Sequence, residues 1–235
     1  MLEKLEKADL IAFGAHPDDV EIGCGGLIAL TAKKRSVGIV DLTKGEMAST
    51  GTVEERAKEA SEAARILNVK WRVNLGIPDR GVSINEQNIA EIVKVIRQSK
   101  PRIVLVPFPE DRHPDHVNCS KLVAQAVFSA GLWKVMPDLE PHRTKHIFHY
   151  FLNNFFAEPS FVVDISAAFQ QKVAAVQAHH SQFDPDRLRP TSLNTGGFTE
   201  TLEARNRFFG SLIKATYGEP YYSKEMLSIG DLFAL

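Results

Sequence analysis

Cysteine is scarce in this chain: only Cys24 and Cys119 occur among 235 residues. Two thiols cannot make a disulfide framework, so the fold must rest on a buried apolar core, and a reducing, cytoplasmic setting is expected. Positive charge is not in excess either. The 28 Lys and Arg stand against 29 Asp and Glu, a net charge of −1, so there is no basic field to draw nucleic acid. No apolar run approaches the ~20 residues that cross a bilayer, which excludes a helical membrane span. The start, Met1-Leu2-Glu3-Lys4-Leu5-Glu6-Lys7, is charged and lacks the apolar stretch of a secretory signal. No Gly-x-Ser-x-Gly elbow is present, so serine hydrolysis has no support. Without repeats or a low-complexity linker, one domain over residues 1–235 is expected.

What is present has the rhythm of an α/β protein. Hydrophobic residues make up 44% of the chain, enough for a substantial core. Apolar runs at 9–14, 37–42, 71–76 and 102–107 read as strands. Amphipathic stretches at 25–34, 53–67 and 86–99 read as the helices between them. This alternation predicts a Rossmann-like, mostly parallel sheet with helices on both faces. Thr52-Val53-Glu54-Glu55 is a capping box, in which hydroxyl and carboxylate satisfy free amides at a helix start. Further on, 117–130 predicts a fourth helix, 147–152 and 161–164 strands, and 167–180 and 201–217 late helices. Residues 183–198 are rich in Pro, Gly, Asp and Thr and read as a loop near the site.

Two short segments carry the chemistry. Gly14-Ala15-His16-Pro17-Asp18-Asp19-Val20-Glu21 follows the first strand, and Arg112-His113-Pro114-Asp115-His116 follows the fourth. In the common doubly wound order these strands are central neighbours, and ligands bind beyond their carboxyl ends. His16, Asp19 and His116 can supply the three ligands of a catalytic zinc site, which leaves a position for water. Asp18, beside Asp19 but free of the metal, could take a proton from that water. His113, as an imidazolium, could stabilise the oxyanion or protonate the leaving amine. Asp115 lies between the two histidines and could fix the His113 tautomer. Other divalent first-row metals would accept the same donors.

The paired segments resemble the zinc-dependent LmbE-like, or GlcNAc-phosphatidylinositol, de-N-acetylase superfamily. The resemblance runs over nearly the whole chain and implies the LmbE-like fold. It assigns His16, Asp19 and His116 to zinc, Asp18 to the general base and His113 to the tetrahedral intermediate, as the spacing does. Asn74-Leu75-Gly76-Ile77-Pro78-Asp79-Arg80-Gly81, Glu110-Asp111-Arg112-His113-Pro114-Asp115-His116 and Phe128-Ser129-Ala130-Gly131 resemble the branch that deacetylates N-acetylglucosaminyl malate in bacillithiol biosynthesis. That branch implies a small GlcNAc-containing substrate and a homo-oligomer, such as a hexamer. It also implies that Arg56 and Arg112 pair with substrate carboxylates. Asp79 could accept hydrogen bonds from sugar hydroxyls. Plainer readings make Arg56 a solvated partner of Glu59 and Asp79 a turn residue. A de-N-acetylase of a chitobiose-like compound is the alternative within the class.

Two other classes compete. Gly23-Cys24-Gly25-Gly26, with Asp41 at the end of the second strand, is similar to a dinucleotide-binding turn. The fingerprint needs a small residue where Ile28 stands, however. A non-catalytic sugar- or metal-binding module would need neither the spare base Asp18 nor the acid His113. Glu21 is expected to support its loop, and both cysteines to be packing residues.

Overall fold

Leu10, Ile11, Ala12 and Phe13 are buried on both sides of the chain, which only a central strand of a covered sheet permits. The computed structural model describes residues 4–153, 158–183 and 197–228. In it this run is β1 (Leu10–Gly14), followed by α1 (Asp19–Ala32), β2 (Val37–Asp41), α2 (Val53–Ile66), β3 (Trp71–Asn74), α3 (Glu86–Ser99) and β4 (Ile103–Pro107). Next come α4 (Pro114–Ala130), β5 (His146–Tyr150), β6 (Phe161–Asp164), α5 (Phe169–Gln177), α6 (His180–Phe183), α7 (Phe198–Leu212) and β7 (Gly218–Tyr222). The strands form one sheet in the order β3-β2-β1-β4-β5-β7-β6. Six strands run in one direction, β3, β2, β1, β4 and β5 as parallel neighbours, and β7 opposes them, pairing antiparallel with both β5 and β6. β1 and β4 are central neighbours, as the doubly wound reading expects.

Side chains alternate across the sheet with the two-residue period of a strand. Leu10 and Ala12 join a core with Val20 and Ile28 of α1, Ala63 of α2 and Val176 of α5. Ile11 and Phe13 join the opposite core, with Ile92 and Ile96 of α3 and Leu122 and Val123 of α4. The capping box of α2 forms as expected: Thr52 Oγ1 accepts the Glu55 N–H at 3.1 Å, and Glu55 Oε2 accepts the Thr52 N–H at 2.8 Å. α3 ends at Lys100, in the left-handed region, just before Pro101.

The late helices, expected at 167–180 and 201–217, are α5 (Phe169–Gln177) with the separate α6, and α7 (Phe198–Leu212), and three further differences are larger. α1 starts at Asp19 instead of residue 25 and bends at Cys24, whose φ of −142° leaves the helical region. Glycine lowers helix propensity, so Gly23-Cys24-Gly25-Gly26 hid the first turns. These glycines serve close packing: a Cβ on Gly23 would fall 2.0 Å from Tyr150 Cδ2, and one on Gly26 2.7 Å from Ile165 Cδ1. The dinucleotide reading fails here, because the glycines lie inside a helix against side chains and Asp41 is held by the Arg72 guanidinium at 2.7 and 2.9 Å. α4 starts at Pro114, three residues early, because proline suits the first helical position. β7, Gly218-Glu219-Pro220-Tyr221-Tyr222, was not expected, since proline and glycine mask strand character. Its buried Glu219 accepts the Gly26 N–H at 2.8 Å and the Leu27 N–H at 2.7 Å. Those amides are freed by the bend in α1, and Lys172 balances the buried charge.

Candidate active site

The loops after β1 and β4 meet at the carboxyl ends of their strands. In the first, the chain turns through Asp18, which caps α1 at φ 115°, a left-handed conformation that costs a non-glycine residue about 1–3 kcal/mol. In the second, His113 caps α4, and its Nδ1 accepts the Asp115 N–H at 3.2 Å. His116 lies in the first turn of α4 and Asp19 in the first turn of α1.

Asp19 stands between two imidazoles. His116 Nε2 lies 3.2 Å from Asp19 Oδ1, and His16 Nδ1 lies 3.6 Å from Asp19 Oδ2. The second nitrogen of each ring faces further carboxylates. His116 Nδ1 is 3.0 Å from Asp111 Oδ1, and His16 Nε2 is 3.3 Å from Asp79 Oδ1 and 3.6 Å from Asp115 Oδ2. This is the pattern of metal-binding histidines, whose outer nitrogen is oriented by an acid. Donor atoms of His16, His113 and His116 lie within 4.8 Å of one another, as do those of His16, Asp79 and Asp115.

The electrostatics call for a cation. Burial pulls the His16 imidazolium down, but Asp115, Asp19 and Asp79 outweigh it and raise its pKa to about 12. Burial likewise opposes the charge on His116, yet Asp19 and Asp111 raise it to about 9. Burial would raise Asp19, and the two histidines instead hold it well below the carboxylate range. Protonated imidazoles answer a surplus of acids here, and a divalent ion on His16, Asp19 and His116 would answer it equally. The donor set therefore suits a divalent metal ion.

Asp18 is tuned differently. Burial raises its carboxyl to about 6, with Arg56 lowering it and Asp19 raising it. Arg56 is buried, which removes the solvated reading. Its Nη1 donates to Gly45 O at 2.9 Å, and its Nη2 donates to Pro17 O at 2.6 Å and Asp18 Oδ2 at 3.3 Å. The guanidinium thus grips the Asp18 turn. His113 is pushed below the usual imidazole range by burial and by His116 and His16. With Nδ1 accepting an amide, the neutral ring would carry its proton on Nε2.

Asp115 does not do what its sequence position implied. Its backbone N–H, not its carboxylate, meets His113. The carboxylate accepts the Arg80 N–H at 2.7 Å and faces His16. Asp79 accepts the Met47 N–H at 3.0 Å and also faces His16, so both acids orient a histidine. The acid that orients His116 is Asp111, which sequence reasoning missed. It also accepts the His113 N–H at 2.8 Å and two bonds from Asn153, at 3.1 and 2.9 Å. Its position two residues before His113 was the only signal.

His16, Asp18, Asp19, Asp79, His113 and His116 line a cleft of about 500 Å³, with Arg80, Arg112, Asn153, Gln182 and Arg205 among its walls. Residues 184–196, most of the loop expected beside the site, lie outside the described residues. Glu21 lies inside α1 and pairs with Arg72 of β3. Cys24 and Cys119 are buried and unpaired. Among the described residues, no helix is long and apolar enough to cross a membrane.

The profile of the GlcNAc-PI de-N-acetylase family, PIG-L, matches residues 11–127. The diacetylchitobiose deacetylase of Thermococcus kodakarensis is 36% identical over 187 residues, which span 73% of this chain and 68% of that protein. The probable N-acetyl-alpha-D-glucosaminyl L-malate deacetylase 2 of Bacillus subtilis is 26% identical, over 75% of this chain and 84% of that protein. The crystal structure of a conserved protein from Thermus thermophilus superposes with a TM-score of 0.86 at 42% identity, covering 95% of this chain and 98% of that one. The fold, the paired loops and these relatives agree: the chain belongs to the GlcNAc-PI de-N-acetylase family and is a GlcNAc-type de-N-acetylase, a hydrolase acting on an acetamide.

Proposed function

We propose that the chain is a zinc-dependent N-deacetylase of N-acetylglucosaminyl glycosides, with His16, Asp19 and His116 as ligands and Asp18 as general base. The observation that carries this reading is the division of labour around Asp19. Two histidines converge on it, each backed by its own carboxylates, while the neighbouring Asp18 is held apart by Arg56 with its pKa raised to about 6. When bound, the divalent ion polarises the amide carbonyl and makes the attacking water more acidic. Asp18 takes the water's proton as the new C–O bond forms. His113 Nε2–H donates to the oxygen that gains negative charge. As the C–N bond breaks, Asp18 returns the proton to the leaving amine, which yields acetate and the free glucosaminyl glycoside.

The proposed substrate is the malate glycoside of bacillithiol biosynthesis, which Arg80 and Arg112 on the cleft wall support, since a guanidinium suits carboxylates. Diacetylchitobiose is the second reading, favoured by the 36% identical relative. Acetate release measured on N-acetylglucosamine, its malate glycoside and diacetylchitobiose tests both. Fastest turnover of the malate glycoside upholds the first reading, and fastest turnover of diacetylchitobiose replaces it with the second. The enzyme is proposed to be cytoplasmic and homo-oligomeric. Phe128 and Trp133, 71% and 79% exposed, lie at and just beyond the end of α4, and a partner subunit would cover them. Light scattering that shows a monomer ends the oligomer proposal.

A further inference from the structure

One wall of the cleft is built from a closed ring of hydrogen bonds that the chemistry above does not use. α6 brings Gln182 to that wall. Gln182 is buried, and its amide nitrogen donates to Thr50 O at 2.8 Å and to Ser181 Oγ at 3.0 Å. Thr50 O can only accept, which settles which end of the amide is nitrogen. Ser181 Oγ donates to Glu59 Oε2 at 2.7 Å, and the Ser181 N–H donates to Glu59 Oε1 at 2.7 Å. With its proton committed to Glu59, the hydroxyl offers a lone pair to Gln182. Thr50 closes the ring, its own hydroxyl donating to Ser181 O at 2.5 Å. Gly51 makes the approach feasible: its φ is 79°, and a Cβ there would fall 2.5 Å from Ser181 Oγ.

Both N–H groups of Gln182 are thus spent inside the protein, and no described residue donates to its Oε1. An amide so held presents a fixed acceptor and no donor. Gln182 lines the cleft, so this acceptor takes its partner from what fills the cleft, solvent or ligand. The hydroxyls that flank the acetamide of an N-acetylglucosaminyl unit are such donors.

We propose that Gln182 is a specificity residue whose Oε1 accepts a hydrogen bond from a ring hydroxyl of the N-acetylglucosaminyl substrate, and that Glu59, Ser181 and Thr50 position it. The inference rests on the de-N-acetylase reading and deepens it: the substrate is read as a hydroxylated ring, apart from whatever its aglycone carries. The test measures acetate release by the metal-loaded protein on an N-acetylglucosaminide and on a panel of ring-deoxy analogues, each lacking one hydroxyl. The wild type should lose about tenfold in kcat/KM on one analogue, the worth of a single hydrogen bond. Gln182→Met should show that same loss on the parent, in KM rather than kcat, and should no longer distinguish parent from analogue. Ser181→Ala leaves the amide in place but unpinned, so its KM should rise by a smaller factor and its discrimination weaken. It carries the test should Gln182→Met fail to fold. Discrimination undiminished in both variants, or an unchanged KM in folded Gln182→Met, overturns the inference. A wild type that releases no acetate from any N-acetylglucosaminide instead overturns the substrate reading beneath it.

Discussion

The chain uses the tripeptide His-Pro-Asp twice, at His16-Pro17-Asp18 and His113-Pro114-Asp115, and the two copies do different work. The difference lies in where the following helix begins. α1 starts at Asp19, after the tripeptide, whereas α4 starts at Pro114, inside it. In the first copy His16 is therefore free to face Asp19, and Asp18 is forced into a left-handed cap beside Arg56. In the second copy His113 is itself the cap, the histidine that meets Asp19 comes three residues later as His116, and Asp115 is buried in the first helical turn. On the proposed mechanism, the same letters yield a ligand and a base in one place, and an oxyanion donor and an orienting acid in the other. Helix register, more than residue type, assigns the roles.

Exchanging the predicted defects of the two aspartates would break this comparison. Asp18→Ala should keep its metal and lose about 10²–10⁴-fold in kcat, the range of general acid–base catalysis. Asp115→Ala should instead weaken metal binding about 10–100-fold, because its carboxylate backs His16. Acetate release and elemental analysis read both outcomes. The histidines sharpen the contrast: His113→Ala should retain the ion and lose about 10²–10³-fold in kcat. Asp111→Asn should then mimic Asp115→Ala, with about 10–100-fold weaker metal binding through His116. Metal affinity equal to wild type in Asp111→Asn would remove it from that role.

The smallest expected effect is a shift in the pH profile. Asp18 must be ionised to accept a proton, so kcat/KM should fall as pH drops through its pKa. Burial raises that pKa to about 6, and a bound cation pulls it down, as Arg56 does. The acid limb should lie at or below that pH. Arg56→Met removes a positive charge and should move the limb to higher pH. A limb unmoved in Arg56→Met would detach the arginine from the base.

The sequence revealed the parallel half of the sheet because β1, β2 and β4 are apolar on both faces, and it revealed α2 because Thr52 and Glu55 form a local cap. Local spacing also named the residues that converge on Asp19. What it missed depends on long-range contact. β7 is a strand because Glu219 must reach the bend in α1, far away in the chain, and no local pattern records that. Asp115 sits between the two histidines in sequence and so draws the orienting role toward His113, while the loop leading into α4 brings Asp111 to the His116 ring instead. Arg56 looks like a helix-surface residue until the Asp18 turn folds over it.

On the proposed mechanism, His16, Asp19 and His116 hold one ion while Asp18 stands beside it and holds none. Chelator-stripped wild type, Asp18→Ala and His116→Ala, each titrated with zinc and analysed for bound metal per chain, test this most directly. One ion is expected in the wild type and in Asp18→Ala, and none in His116→Ala. Stoichiometric zinc in His116→Ala, or its loss from Asp18→Ala, would contradict it.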